Sequence, residues 1–494
     1  MATTIESRIT DTRTLYASGV TRSLDWRNRQ LDSLFKLLRE CRNDICIALE
    51  KDLGRMDHFT SQFYELNSVE QEISFLKKNL KKLTEPCSVN VSIANQPAHA
   101  HVQAESLGTV LIMSAWNFPI LTLLQPAAGA IAAGNCVVLK PSNISAHTSA
   151  CIAQLIERYF PNKEIICIEG GVEESTRVLE SKFEKIMYTG GSSVAKIVMT
   201  AAAKNLTPVD LELGGKNPCI VTGNIETDNQ LLIAAKRIVW GKFAVNAGQV
   251  CIAPDYVMVH EAVASEFRNG VKKCLAEFFG NDIKASFGYS RIINSGHMKR
   301  LESILEGDRK YLSIGGEVDE VAKYISPTVL DFGNDMKAFM ESKAMTCGEI
   351  FGPILPIVTY SGDLTKCIEF INKGEKPLSM YLFGLNEEGK EIAAKTSSGS
   401  LTVNDCVMQK AELGIPFGGV GMSGTGRYNG KYSFETFSHY KPVLFKKLKM
   451  DLDARYPPYD DKKKKLFETV HAVMLGERSG LALAYGMLKY QAKK

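Results

Sequence analysis

The chain has no apolar run long enough to span a bilayer, no C-x-x-C pair and little net charge. Each absence removes a class of protein. A spanning helix needs roughly 20 apolar residues in a row, and in the C-terminal tail the longest apolar run falls far short of that, with Glu477-Arg478 interrupting the apolar pattern. The twelve cysteines lie scattered from Cys41 to Cys406, which argues for reduced thiols rather than a disulfide framework or a zinc site; no metal is expected. A formal charge of +4, from 59 basic and 55 acidic residues, gives no electrostatic case for nucleic acid as a partner. There is also no H-E-x-x-H among the eight histidines, no Walker-type G-K-[ST] and no G-x-S-x-G elbow. The stretch Met1 to Arg8 lacks the apolar core of a signal peptide, so a cytoplasmic location is expected.

What remains is a globular composition. With 494 residues, 45% hydrophobic and 23% charged, the chain has material for two large domains or three ordinary ones. Apolar residues recur at Leu31, Leu34, Phe35 and Leu38, predicting a helix from Leu24 to about Lys51, and again at Phe63, Leu66, Val69, Ile73, Leu76 and Leu80, predicting a second from Phe63 to Leu83. From Gly108 the rhythm changes. Short runs, Thr109 to Met113, Cys136 to Leu139, Ile165 to Ile168 and Ile186 to Tyr188, alternate with helical segments at Leu121 to Ala133 and Thr148 to Tyr159, the pattern of a parallel sheet covered by helices. Such sheets bind ligands beyond the carboxyl ends of their strands.

Those strand ends carry Trp116 and Asn117, Lys140 and Ser142, and the turn Gly190-Gly191-Ser192 before a helix from about Val194 to Lys204. Small residues before a helix let a phosphate approach its free N–H groups. Gly419-Val420-Gly421-Met422-Ser423-Gly424 fits the dinucleotide pattern G-x-G-x-x-G better, but it lacks a strand before it and a helix after it, and reads as a flexible glycine loop. Further on, Glu212 sits among Leu211, Leu213, Gly214 and Gly215, where burial would raise its pKa toward that of a general base, although a lone glutamate is ordinarily just solvated. Cys251 lies between Gly248 and Pro254, a setting with little crowding and free backbone donors. Taken singly, each cysteine reads as an inert buried thiol.

Six segments change that weighting: Trp116-Asn117-Phe118-Pro119, Lys140-Pro141-Ser142, Leu211-Glu212-Leu213-Gly214-Gly215-Lys216, Gly248-Gln249-Val250-Cys251, Glu349-Ile350-Phe351-Gly352-Pro353 and Pro416-Phe417-Gly418-Gly419. In this order they resemble the signature set of the aldehyde dehydrogenase superfamily, over about residues 20–448. Ala253-Pro254-Asp255-Tyr256 and Ser433-Phe434-Glu435-Thr436-Phe437-Ser438-His439 resemble its class 3, fatty-aldehyde branch. The resemblance implies an α/β fold: a parallel-sheet dinucleotide-binding domain (1–86 and 106–210), an α/β catalytic domain (211–415), a small bridging β element (87–105 and 416–448) that pairs two subunits into a homodimer, and a tail (449–494).

It implies Cys251 as nucleophile, the Asn117 amide and the Cys251 N–H as oxyanion donors, and Glu212 as the base that activates water to hydrolyse a thioester. Trp116, Lys140, Ser142, Gly190, Ser192, Glu349 and Phe351 would hold NAD or NADP, and the substrate would be a medium or long aliphatic, or an aromatic, aldehyde. A coenzyme A-acylating relative would have little need for Glu212, and a purely structural one no need for the catalytic set. The basic run Lys462 to Lys465 beside an amphipathic segment suits either packing on the protein's own body or a peripheral membrane contact.

Three positions depart from the family pattern. Ala195 stands where a glycine is common, Val250 where threonine often precedes the cysteine, and Asn143 where glutamate often follows Lys-Pro-Ser. An acid there would accept from the adenine ribose and repel a phosphate on it; asparagine removes the repulsion while Lys140 remains. NADP is therefore expected to serve alongside NAD. Initial rates with the two cofactors, each at saturation, check this, and strict NAD dependence would refute it.

Overall fold

The architecture is that of a computed structural model, which describes residues 4–225, 227–448, 451–477 and 479–491. It divides into two compact units, Met1–Leu80 with Ser106–Ser438, and Lys81–Glu105 with His439–Lys494. The expected helix from Leu24 to Lys51 is two helices, Leu24–Glu40 and Arg42–Leu53. The first packs on helix Leu121–Ala132 and the second on helix Ala146–Tyr159, so the two apolar stripes need different directions, and the chain leaves helical geometry at Cys41 to supply them.

The first unit holds two large sheets and, among the described residues, a two-stranded ribbon of Val318–Asp319 with Tyr324–Ile325. Strands β1 (Thr109–Met113), β2 (Cys136–Lys140), β3 (Ile165–Cys167), β4 (Lys185–Thr189) and β5 (Val209–Glu212) run parallel in the order β5-β4-β1-β2-β3. The second sheet contains β6 (Pro218–Val221), β7 (Tyr256–His260), β8 (Leu312–Ile314), β9 (Thr328–Asp331), β10 (Ile354–Tyr360), β11 (Ser379–Phe383) and β12 (Ser400–Val403), in the order β8-β9-β10-β7-β6-β11-β12, with only β8 antiparallel. Its strands are apolar on both faces for a physical reason. Cys219, Val257 and Ile357 face one core with Phe243 and Phe267, while Ile220, Met258 and Val358 face another with Leu301 and Phe339.

The boundaries differ from expectation. Glu212 ends β5 in the first sheet, and the second sheet begins only at Pro218. The glycine-rich segment is neither a phosphate loop nor a free one: a short strand, β13 (Gly424–Thr425), pairs antiparallel with β5, placing Gly424 opposite Glu212. Residues 416–437, expected in the bridging element, thus belong to the first unit because their backbone completes its sheet edge.

The second unit contains a three-stranded sheet of Cys87–Val89, Ala98–Ser106 and Ser438–Lys446, in that order. Glu105 pairs with Lys441, and the His99 ring stacks on Phe445 at 4.6 Å. The tail forms helices Asp461–Met474 and Gly480–Gln491 around a small core of Ala454, Leu466 and Leu483. Within the basic run Lys463 is buried and donates to the Tyr456 carbonyl, so the run is not one solvated face. Arg478 and the side chain of Leu488 lie outside the described residues.

Gly424 has φ +145°, and a Cβ there would come within 2.2 Å of the Leu211 carbonyl oxygen. Gly424→Ala should push β13 away from β5 and shift Glu212. Since a misplacement of about 1 Å can cost on the order of 100-fold in rate, kcat should fall at least tenfold with a smaller loss in urea midpoint; an unchanged kcat would refute this.

Candidate active site

The loop after β1 and the loop before β7 are tied together by one buried guanidinium. Arg55 pairs with Glu65 at 2.5 Å and donates to the Asn117 carbonyl (2.7 Å) and to Asn246 Oδ1 (3.2 Å). Asn246 Nδ2 donates back to the Asn117 carbonyl at 3.1 Å, and Asn117 Nδ2 to the Gln249 carbonyl at 3.0 Å. Glu65 Oε2 also accepts from the N–H groups of Ile120 and Leu121, at the start of helix Leu121–Ala132. Arg55 binds the backbone of Asn117, which leaves the amide to be aimed by Gln249. None of this was visible in sequence, because Arg55 and Glu65 carry no motif; an acid and a base ten residues apart on a helical approach were the only trace.

The cysteine loop is tightly determined. Asn246, Ala247 and Gly248 all have positive φ, and a Cβ at Gly248 would lie 2.4 Å from the Gly352 carbonyl oxygen. Asn217 Nδ2 donates to the carbonyls of Cys251 (2.8 Å) and Ala253 (3.0 Å), and the Tyr381 hydroxyl to that of Ile252 (2.5 Å). With the carbonyls held from behind, the N–H of Cys251 faces its own sulfur. Burial, then the acids Glu349 and Glu212, push the thiol up to about 12, so it rests protonated.

Glu212, 1% exposed, has no hydrogen-bond partner for either carboxylate oxygen among the described residues. Burial, and then Asp210, hold its carboxyl well above the usual range, with Lys410 pulling the other way. Cys251, Glu212 and Asn117 line one cavity of about 1160 Å³, so the three expected catalytic residues come together.

The same cavity reaches the ends of β1, β2 and β4. Trp116 meets the rings of His297 (4.9 Å) and Phe351 (5.4 Å) edge-on. Lys140 is buried, its ammonium donating to the carbonyls of Pro141 (3.2 Å) and Gly170 (2.6 Å); Ser142 Oγ accepts from Ile144 N–H. Gly190 and Ser192 lead into helix Ser192–Ala203, and a side chain at Gly191 would meet nothing within 4 Å. Across the cavity Arg300 donates to the carbonyls of Ile350 (2.7 Å) and Phe351 (3.3 Å), and Asp255 accepts from Ile350 N–H, fixing the loop that carries Glu349. Glu349 leans on Gly214, where a Cβ would lie 1.9 Å from Oε2, and its Oε1 has no partner. An open helix start, an ammonium at a strand end and an orphaned carboxylate oxygen around one cavity fit a nicotinamide dinucleotide: anionic phosphates would lie at the helix start, ribose hydroxyls at Lys140 and Glu349. Every expected cofactor residue lines this cavity.

A cysteine, an unpartnered buried carboxyl and residues suited to a dinucleotide line one cavity, the arrangement of an NAD(P)-dependent dehydrogenase. The sequence profile of the aldehyde dehydrogenase family matches residues 3–443, and the chain belongs to that family. It is 42% identical over 463 residues to aldehyde dehydrogenase family 3 member A2 of Rattus norvegicus, covering 93% of this chain and 92% of the relative. It is also 42% identical over 459 residues to the rat protein named aldehyde dehydrogenase, dimeric NADP-preferring (92% and 98% covered). Among solved structures, the substrate-bound state of Staphylococcus aureus AldH superposes with a TM-score of 0.88 at 38% identity, covering 94% of this chain and 99% of that one. The chain is an oxidoreductase that converts aldehydes with NAD(P).

Removing one member of a buried ion pair strands the other's charge at about 3–5 kcal/mol. Arg55→Met should therefore lower the denaturant midpoint sharply, and Arg55→Met with Glu65→Leu should recover much of the loss while leaving turnover impaired. Equal stability of the single and double variants would contradict the account.

Proposed function

We propose that this protein oxidises aldehydes to carboxylic acids through a thioester on Cys251 that Glu212 hydrolyses. The observation that supports this reading best is that the Cys251 thiol, the unpartnered Glu212 carboxyl, which burial shifts toward its protonated form, and the Asn117 amide line one cavity. In its ionised form Glu212 accepts the proton that Cys251 Sγ must lose on bonding to the carbonyl carbon. The Asn117 amide and the Cys251 N–H receive the oxygen that becomes negative. NAD(P), which Lys140, Glu349 and the turn Gly190 to Ser192 would hold, would supply the acceptor for the hydride of that carbon. Glu212 then takes a proton from water as its oxygen attacks the thioester, and the sulfur departs with a proton. One aldehyde, one water and one oxidised cofactor give a carboxylate, a reduced cofactor and two protons.

A buried base without partners favours hydrolysis over transfer to coenzyme A, and the retained thiol, amide and carboxyl argue against a purely structural role. Phe63, Tyr64, Trp240 and Leu413 on the substrate side suit medium or long aliphatic and aromatic aldehydes. Asn143 on the cofactor side favours use of NADP as well as NAD. We also propose a homodimer, supported by the word dimeric in a relative's name, and a cytoplasmic location, supported by twelve free cysteines. Among the described residues no helix is long and apolar enough to cross a membrane, and contact of the exposed Phe467 and Leu481 with a membrane surface remains part of this proposal.

Cys251→Ala should abolish oxidation of an aliphatic aldehyde. Glu212→Gln should give one burst of reduced cofactor per site and a steady rate lower by about 100-fold or more. In the wild-type enzyme kcat should rise with pH through the raised pKa of Glu212, since only the ionised form is a base. The same shift makes folding less favourable as pH climbs from the ordinary carboxylate range, because the folded state binds more protons there than the unfolded chain. Turnover in Cys251→Ala, or undiminished steady turnover in Glu212→Gln, would overturn the assignment.

A further inference from the structure

One charged group in the substrate half of the cavity has no part in this chemistry. Lys410 lies in the loop after β12, half-buried on the cavity wall. Its ammonium donates to Gln125 Oε1 at 2.7 Å and to Asn429 Oδ1 at 3.4 Å, and sits 4.9 Å from the Phe417 ring centroid and 4.6 Å from that of Tyr428. Two amide oxygens and two ring faces orient a cation, but none carries a charge to match it. Glu72, on helix Asn67–Thr84, is reached only through Gln125, which donates to its Oε2 at 3.1 Å. The other titratable groups around Lys410 are Glu212 at the end of β5, Cys251 on its loop and Tyr428 beneath it. Burial pushes all four toward their uncharged forms. Among the described residues no carboxylate pairs directly with the ammonium, which lines the same cavity as the nucleophile and Phe63, Tyr64 and Trp240. A purely structural lysine would have its counter-ion in contact; here that place faces the space in which substrate must lie.

We propose that Lys410 is a specificity-determining residue that selects aldehydes bearing a second, anionic group, with oxo acids that carry a carboxylate on an apolar stem as the preferred substrates. The inference rests on the proposed reading of the site and narrows its substrate class. A carboxylate that reaches the ammonium from the cavity gives it a counter-ion, the apolar stem lies against the aromatic side chains, and the aldehyde carbon reaches Cys251. The product is then a dicarboxylate.

The test compares pentanal, glutarate semialdehyde and the methyl ester of that semialdehyde, with nonanal, azelate semialdehyde and its methyl ester as a longer series, all by initial rates of cofactor reduction. A charge-assisted hydrogen bond of the usual strength gives the oxo acid a kcat/KM at least about tenfold above the ester of the same length, in one series or both. In Lys410→Met that ratio should fall to near one, whatever happens to the absolute rates, and Lys410→Arg should keep part of it. In the wild-type enzyme the ratio should decline as pH rises past about 8, to which burial lowers the ammonium, while turnover of the ester does not decline with it. These wild-type comparisons decide the matter even if the methionine variant fails to fold. An acid-to-ester ratio near one in both series, a ratio that survives in Lys410→Met, or a ratio flat across pH 8 would overturn the inference while leaving aldehyde oxidation intact. If no aldehyde in either series reduces the cofactor, the reading of the site itself has failed.

Discussion

A thiol and a carboxyl share one poorly solvated cavity, and neither can hold its negative charge there without cost. Cys251 and Glu212 are both shifted toward the protonated form, chiefly by burial; Glu349 and Glu212 raise the thiol further, and Asp210 raises Glu212. Both groups thus favour keeping their protons in the resting site. On the proposed mechanism, charge develops on the substrate oxygen, toward which Asn117 and the Cys251 N–H would donate. A more exposed thiol would be ionised more readily and also oxidised more readily. Burial trades that readiness for chemical durability.

Placing these groups requires agreement between two sheets. Asn117 follows a strand of the first sheet, and Cys251 precedes a strand of the second. Arg55 holds both loops by their backbone and amide oxygens, and Glu65 joins its charge to the start of helix Leu121–Ala132. The cofactor wall is built similarly, with Arg300 and Asp255 gripping the backbone around Glu349 and Phe351. In both cases charged side chains fix main chain, and the motif residue is carried on it.

This explains what could be read from sequence. The parallel first sheet followed from the spacing of Thr109 to Tyr188, and the site residues from six local segments, because strand ends and tight turns leave local patterns. Arg55, Glu65 and Lys410 left none, since what defines them is contact across the fold. The break at Cys41 was hidden because the apolar period continues through it while the packing partner changes. The glycine segment was misjudged as flexible for a related reason: pairing with β5 depends on backbone hydrogen bonds, to which a glycine contributes without any apolar signal.

That last pairing also bears on how the site is assembled during synthesis. Glu212 emerges from the ribosome half a chain before Gly424, the residue that lies opposite it. Until then the edge of β5 is open. The sheet is completed only near the end of translation, through a contact of very long sequence separation, and its unfinished edge is exposed to competing strands for most of that interval.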